Sequence, residues 1–131
     1  MDVTRWMFPT EEEEIAEVLS LARRIVSTGW DSGWASDKDG NQVEEWQDEA
    51  VNFNLLAAFL KVDDVIDGRI DYVVQSKATE QVFDIIRNEM GSEELNVYDW
   101  QTDPNRTKED VLGVLDKALQ NMKVDSNGHQ P

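Results

Sequence analysis

The chain contains no cysteine and only one histidine, His129, among its 131 residues. The first absence excludes disulfides, thiolate metal sites and cysteine nucleophiles, and leaves the redox compartment unreadable. The second, with His129 close to the C-terminus, excludes a serine–histidine triad and a histidine-based metal site. Basic residues are scarce, with 12 against 28 acidic ones and a formal net charge of −16. Such a charge repels phosphate backbones and anionic membranes, so neither direct nucleic-acid binding nor membrane binding is expected. No window approaches eighteen uninterrupted apolar residues, and "MDVTRWMFPTEEEE" lacks the regions of a signal peptide. A cytoplasmic protein is therefore the expectation. No lysine follows the glycines in a Walker pattern, so a phosphate-cradling loop is not expected either.

What remains fits one domain: 40% hydrophobic composition in a chain of this length is enough to bury a single core. The acidity is distributed, with fifteen acids and five bases in residues 1–66 and thirteen and seven in 67–131, so neither half is a detachable acidic tail. Its densest block is Asp31 to Glu49, seven acids against Lys38. Solubility, docking on a basic partner or imitation of nucleic acid, and adaptation to high salt all account for such an excess.

Thr10 and Glu13 form a capping-box pair. Ile15, Val18, Leu19, Ala22, Ile25 and Val26 then recur at helical spacing until Gly29, which predicts an amphipathic helix. The phrase "WASDKDGNQV" alternates and carries Asp39-Gly40, the signature of a short two-stranded hairpin. Asp48 is a candidate cap for a second helix running through "VNFNLLAAFL", almost without a polar face and so expected at the centre of the fold. Asn52 and Asn54 interrupt it and need hydrogen-bond partners if buried. The stretch "KVDDVIDGRIDYVVQ" fits helix and strand almost equally, with a break at Gly68. Ser76 opens a third helix with Ala78, Val82, Ile85, Ile86 and Met90 on one face and Gly91 as its stop, and Thr107 with Asp110 opens the last. The predicted architecture is mainly α: one domain over 1–123, with about four principal helices, a small hairpin between the first and second, and a disordered tail over 124–131.

Three phrases carry a resemblance: "GWDSGWASDKDGNQV", "DEAVNFNLLAAFL" and "VYDWQTDPNRTKEDVLGVLDKAL". Together they resemble an uncharacterised family of small proteins from actinobacteria and tailed phages, a domain of unknown function. The likeness spans about Ile15 to Leu119, and the matching positions are Trp30, Gly33, Asp37, Gly40, Val43, Ala50, Val51, Trp100, Arg106, Thr107 and Val111. Many members have cysteines where this chain reads "VNFNLL", so a thiol-dependent role in relatives does not carry over. The resemblance implies a phage or phage-derived gene and implies no activity.

Asp37, Asp39, Asn41 and Asp48 sit at positions one, three, five and twelve of a calcium-loop pattern. Gln42 stands where the pattern requires glycine and Asp48 where it requires glutamate, so a solvated turn is the better reading and no metal or cofactor is expected. Twenty-eight acids bring some carboxylates together by chance, so a catalytic pair is not readable. Trp30, Trp34, Trp46 and Trp100 lie among polar residues. They either cover the ends of the helical core or form an aromatic anchor in acidic surroundings. Arg106 is expected to pair with Asp99 or Asp103. The function that best fits is a non-enzymatic protein that binds, and in a phage setting inhibits, a basic host protein such as a nucleic-acid enzyme or defence complex. The binding residues would be Trp30, Asp31, Trp34, Asp37, Asp39, Glu44, Glu45, Trp46, Asp99, Trp100 and Arg106. The alternative is a small enzyme or ligand-binding domain with a pocket between the Trp30–Trp46 segment and the Tyr98–Arg106 loop.

Overall fold

Helix α1, Glu11–Thr28, is built from the inside of its own sequence. The Thr10 hydroxyl accepts from the Glu13 N–H at 3.1 Å, and four glutamates occupy the first turn at the positive end of the helix dipole. Its stripe of Ile15, Val18, Leu19, Ala22 and Val26 is buried, with Ile25 packed at the edge. A computed structural model of the protein describes residues 9–90 and 97–128, without side-chain detail for residue 90 or for 123–128. Among these are five helices and one two-stranded antiparallel sheet.

After α1 the chain runs extended. Strand β1, Ala35–Ser36, pairs antiparallel with β2, Asn52–Phe53, in the register Ala35 to Phe53 and Ser36 to Asn52. The hairpin expected around Asp39-Gly40 is present as a bridge between Ser36 and Gln42, with Gly40 at φ +84°. Residues 35–36 therefore sit between two neighbours, one from the tight turn and one from β2. Gly29 is required here by space: a Cβ would lie 2.2 Å from Asn52 Oδ1 and 2.3 Å from the Val51 carbonyl oxygen. It accepts the Phe53 N–H at 3.0 Å, which fixes the end of α1 against β2.

Helix α2, Leu55–Ile66, begins later than the sequence suggested. Asp48 is not its cap, because residues 52–53 are committed to the sheet. The cap is Asn54, whose side-chain oxygen accepts from the Ala57 N–H at 2.8 Å. Asn52 donates to Ser36 Oγ at 3.1 Å and to the Asp37 carbonyl at 3.2 Å, so both asparagines hold positions that an apolar residue could not. The ambiguous stretch resolves as the end of α2, a turn and the start of a further helix: Asp67 (φ 51°) and Gly68 (φ 80°) are left-handed, and the Asp71 carboxylate accepts the Val73 N–H at the head of α3, Tyr72–Met90. That helix opens four residues before Ser76, while its expected stop, Gly91, lies outside the described residues. The short helix α4, Val97–Gln101, contains Trp100, so that tryptophan is helical rather than in a loop. Helix α5, Lys108–Gly128, has the full reciprocal capping box: Thr107 Oγ1 accepts the Asp110 N–H at 3.1 Å and Asp110 accepts the Thr107 N–H at 3.0 Å. It continues past residue 123, where the apolar pattern ends; His129 lies outside the described residues.

The core gathers on α1, which packs against α2, α3 and α5. Arg23 on α1 pairs with Asp116 on α5, and Glu17 with Arg69 in the α2–α3 turn, bracing the same helix from outside. Two changes test this framework by chemical denaturation. Gly29→Ala is expected to destabilise by about 1–3 kcal/mol, as overpacking does when backbone cannot yield. Asn54→Ala is expected to cost about 1–2 kcal/mol through loss of the cap.

Candidate functional site

The acidic turn is shaped by one carboxylate. Asp37 Oδ1 accepts the backbone N–H groups of Asp39 and Asn41, each at 2.9 Å, and the Asp37 N–H donates to the Asn41 carbonyl at 2.9 Å. These bonds, the one from Asn41 foremost, hold the Asp37 carboxyl below its ordinary pKa. Oδ1 is thereby occupied by two backbone donors, and Oδ2 accepts the Asn41 side-chain amide at 3.4 Å. Among the described residues no group of three or more histidine, cysteine, aspartate or glutamate side chains is arranged to hold a metal ion. Asp31 similarly accepts the Gly33 N–H at 2.7 Å and shapes the bend before β1.

The four tryptophans divide. Trp100 is 3% exposed and belongs to the core. Arg106 lies over its ring at 3.9 Å and donates from Nε to its carbonyl at 2.9 Å, so the guanidinium seals this tryptophan. The ion pair of Arg106 is with Asp110, at 3.7 Å, in place of the expected Asp99 or Asp103; Asp103 instead accepts the Arg106 N–H through its carbonyl. Trp30 is half-buried beside Phe53. Trp34 is half-buried and donates its indole N–H to Glu45 at 3.1 Å. Trp46 is 61% exposed. Asp39 and Glu44 are exposed as well, as is Asp99 at the other end of the expected site. The binding residues foreseen in the sequence thus separate into exposed ones, Asp39, Glu44, Trp46 and Asp99, half-buried ones, Trp30, Asp31, Trp34, Asp37 and Glu45, and a Trp100–Arg106 pair packed together.

A feature missed in the sequence lies beside Trp34. A cleft of about 400 Å³ opens between α2 and α3, with Val18, Leu56 and Phe59 lining it together with Trp34, Leu60 and Tyr72. Asp63 and Glu80 stand at it as well. It takes no residue from the Tyr98–Arg106 loop, so it is not the pocket expected between that loop and the tryptophan segment. Ser76 and Glu80, one turn apart on α3, also line a second cleft of about 540 Å³ that includes Ile15, Val73 and Met122. The signal for this face was faint, because Leu60, Tyr72 and Val73 occur in apolar runs that read as core.

Two buried amides complete the local picture. Asn54 and Gln101 are both fully buried, and Gln101 Oε1 accepts the Leu56 N–H at 3.2 Å, so the first free N–H groups of α2 are held by one side chain from before the helix and one from α4.

Residues 10–121 match the family of unknown function DUF6197. The chain belongs to this family. A search of the curated proteins finds no match, and neither does a search of the solved structures. Membership brings no activity with it, so chemistry must be read from the surface of this DUF6197 protein itself. No helix among the described residues is long and apolar enough to cross a membrane.

The turn carries a pH test. Asp37 has a depressed folded-state pKa, so its contribution to stability is present above the ordinary carboxyl value of about 3.9 and is lost as pH falls through the lower, folded value. Asp37→Asn is expected to remove that part of the acid dependence, and Asp39→Asn to leave it; acid unfolding of the two variants, followed by circular dichroism, checks this.

Proposed function

We propose that this DUF6197 protein is a non-enzymatic binding domain for a protein with a basic surface. The reading rests on one observation: Trp46 stands 61% exposed within the chain's densest block of acids, on a turn closed by the Gln47 N–H to the Glu44 carbonyl at 3.1 Å and by the Glu44 N–H to Gln47 Oε1 at 2.8 Å. An exposed indole among like charges is the composition of an anchor with a steering rim, because aromatic side chains contribute most to interface energy while surrounding charges act on encounter. The net charge of −16 supports a cationic partner and disfavours phosphate-bearing ones. Where the gene is of phage origin, as the resemblance implies, a host nucleic-acid enzyme or defence complex is the corresponding partner and inhibition the corresponding outcome. A cytoplasmic setting belongs to the same proposal.

A second reading has its own observation, since a cleft of about 400 Å³ falls within the usual range of small-molecule sites. Its lining is mostly apolar, with two carboxylates and no basic group, which suits an apolar or cationic occupant.

The test begins with capture of the tagged protein's partner from host lysate and continues with association kinetics. Joint neutralisation of Asp37, Asp39, Glu44 and Glu45 as amides is expected to slow association at least about tenfold at low salt and to flatten its salt dependence. Added salt, with screening over about 8 Å at physiological strength, is expected to slow the unaltered protein more than the variant. Unchanged rate and unchanged salt dependence in the variant would defeat the proposal.

A further inference from the structure

Four of the seven large apolar side chains that are exposed among the described residues lie around the α2–α3 junction: Leu60 (47%), Val65 (54%), Tyr72 (76%) and Val73 (59%). Such grouping differs from the scattered exposure normal for a soluble surface. The two clefts open on this same face, one on each side of the Ser76–Glu80 ridge. Their acids are Asp63, Glu80, Glu11, Glu12 and Asp84. Their one base, Lys77, is already paired with Glu11 at 2.8 Å. Glu80 and Asp84 share Arg87, at 3.5 and 3.3 Å, so five acids stand against two bases and the face is apolar in its floor and negative in excess at its edge.

We infer that this double groove is the docking seat for an amphipathic helix of the partner, one whose apolar stripe is flanked by lysine or arginine. The inference rests on the proposed binding of a basic protein and supplies its seat and the chemistry of the segment that enters. The walls are helices, whose backbone groups are paired internally, so they offer nothing to an added strand and recognition falls to side chains. A helix presents apolar side chains at intervals of about one 5.4 Å turn, which lets two of them straddle the ridge and enter both clefts. Cationic residues flanking that stripe then meet Asp63 on one side and Glu12 on the other, alongside Glu80 and Asp84, which share the single guanidinium of Arg87. Trp34 joins the groove to the acidic turn, because it lines the first cleft while its indole N–H is held by Glu45. The turn that steers the partner and the groove that seats it are thus neighbouring parts of one surface.

The experiment uses the full chain labelled with ¹⁵N and titrated with a synthetic amphipathic helical peptide of leucine and lysine. The expected result is amide shifts concentrated in Leu56–Asp63 and Tyr72–Asp84, with affinity lowered about tenfold or more by Leu60→Asp and by Tyr72→Asp. Both side chains are exposed, and thermal melts of the variants verify that they remain folded. Asp63→Asn combined with Glu80→Gln is expected to weaken binding and reduce its salt dependence. Shifts confined to Asp31–Glu49 overturn the groove and leave the basic-partner reading standing. A leucine–glutamate peptide of the same pattern that binds as tightly as the lysine peptide overturns the basic-partner reading. Absence of shifts with either peptide, or full affinity in both aspartate variants, overturns the groove.

Discussion

Everything in this fold is arranged around the need of one helix to bury a stripe on three neighbours. Leu19 and Ala22 are wholly inaccessible, and α2, α3 and α5 each reach α1. Burial of apolar area is the main favourable term in folding, and its yield is greatest where one element serves several contacts. The small residues Ala57, Ala58, Ala78 and Ala118 are buried in the helices that surround α1 or in their continuation of the core, which lets backbones approach closely. The polar residues cluster where helices begin: Thr10, Asn54, Asp71 and Thr107 each accept a backbone N–H close to the start of a helix. Core and caps agree, and such agreement between local and global preferences is what defines a single fold.

The tertiary frame also determines which surfaces are free. Asp116, Glu17 and Glu11 are engaged by Arg23, Arg69 and Lys77, so part of the negative charge is balanced across elements. These are exposed pairs, worth little individually. Their effect on the charge map is larger than on stability. They quiet the faces where bases exist; the double groove, with Lys77 and Arg87 against five acids, keeps a smaller negative excess, and the acidic turn keeps the larger one.

The local signals in the sequence were sufficient for α1 and α5, because a capping box and a stripe at helical spacing are both contained within one element. The start of α2 was not legible. Asp48 and Asn54 are equally good caps, and "VNFNLL" is short enough to serve as strand or helix. The decision comes from Ser36 and Asn52, sixteen residues apart, pairing in the sheet. The start of α3 was obscured for a related reason: Asp71 caps it only once Asp67 and Gly68 have turned the chain through left-handed conformations. At the surface, the sequence left Trp30, Trp34, Trp46 and Trp100 alike between core cover and exposed anchor, and the structure separates them, with Trp46 exposed and Trp100 buried beneath Arg106. The groove was the least visible, since an apolar residue at the edge of a core has the same letter as one at its centre, and Leu60 at 47% exposure follows directly on Phe59 at 8%.

The pairing of Ser36 with Asn52 has a bearing on how members of DUF6197 can diverge. The chain leaves the core at one of these residues and re-enters at the other, with the Val51 N–H donating to the Ser36 carbonyl at 2.9 Å. Whatever lies between is an excursion with its ends already tied. The entropy of closing such an excursion grows only logarithmically, about 0.6 kcal/mol for each doubling of length. The segment that carries the acidic turn and Trp46 can therefore be lengthened, shortened or recomposed while α1 and α2 keep their places, which makes it the part of this architecture where new specificities can be tried at low structural risk.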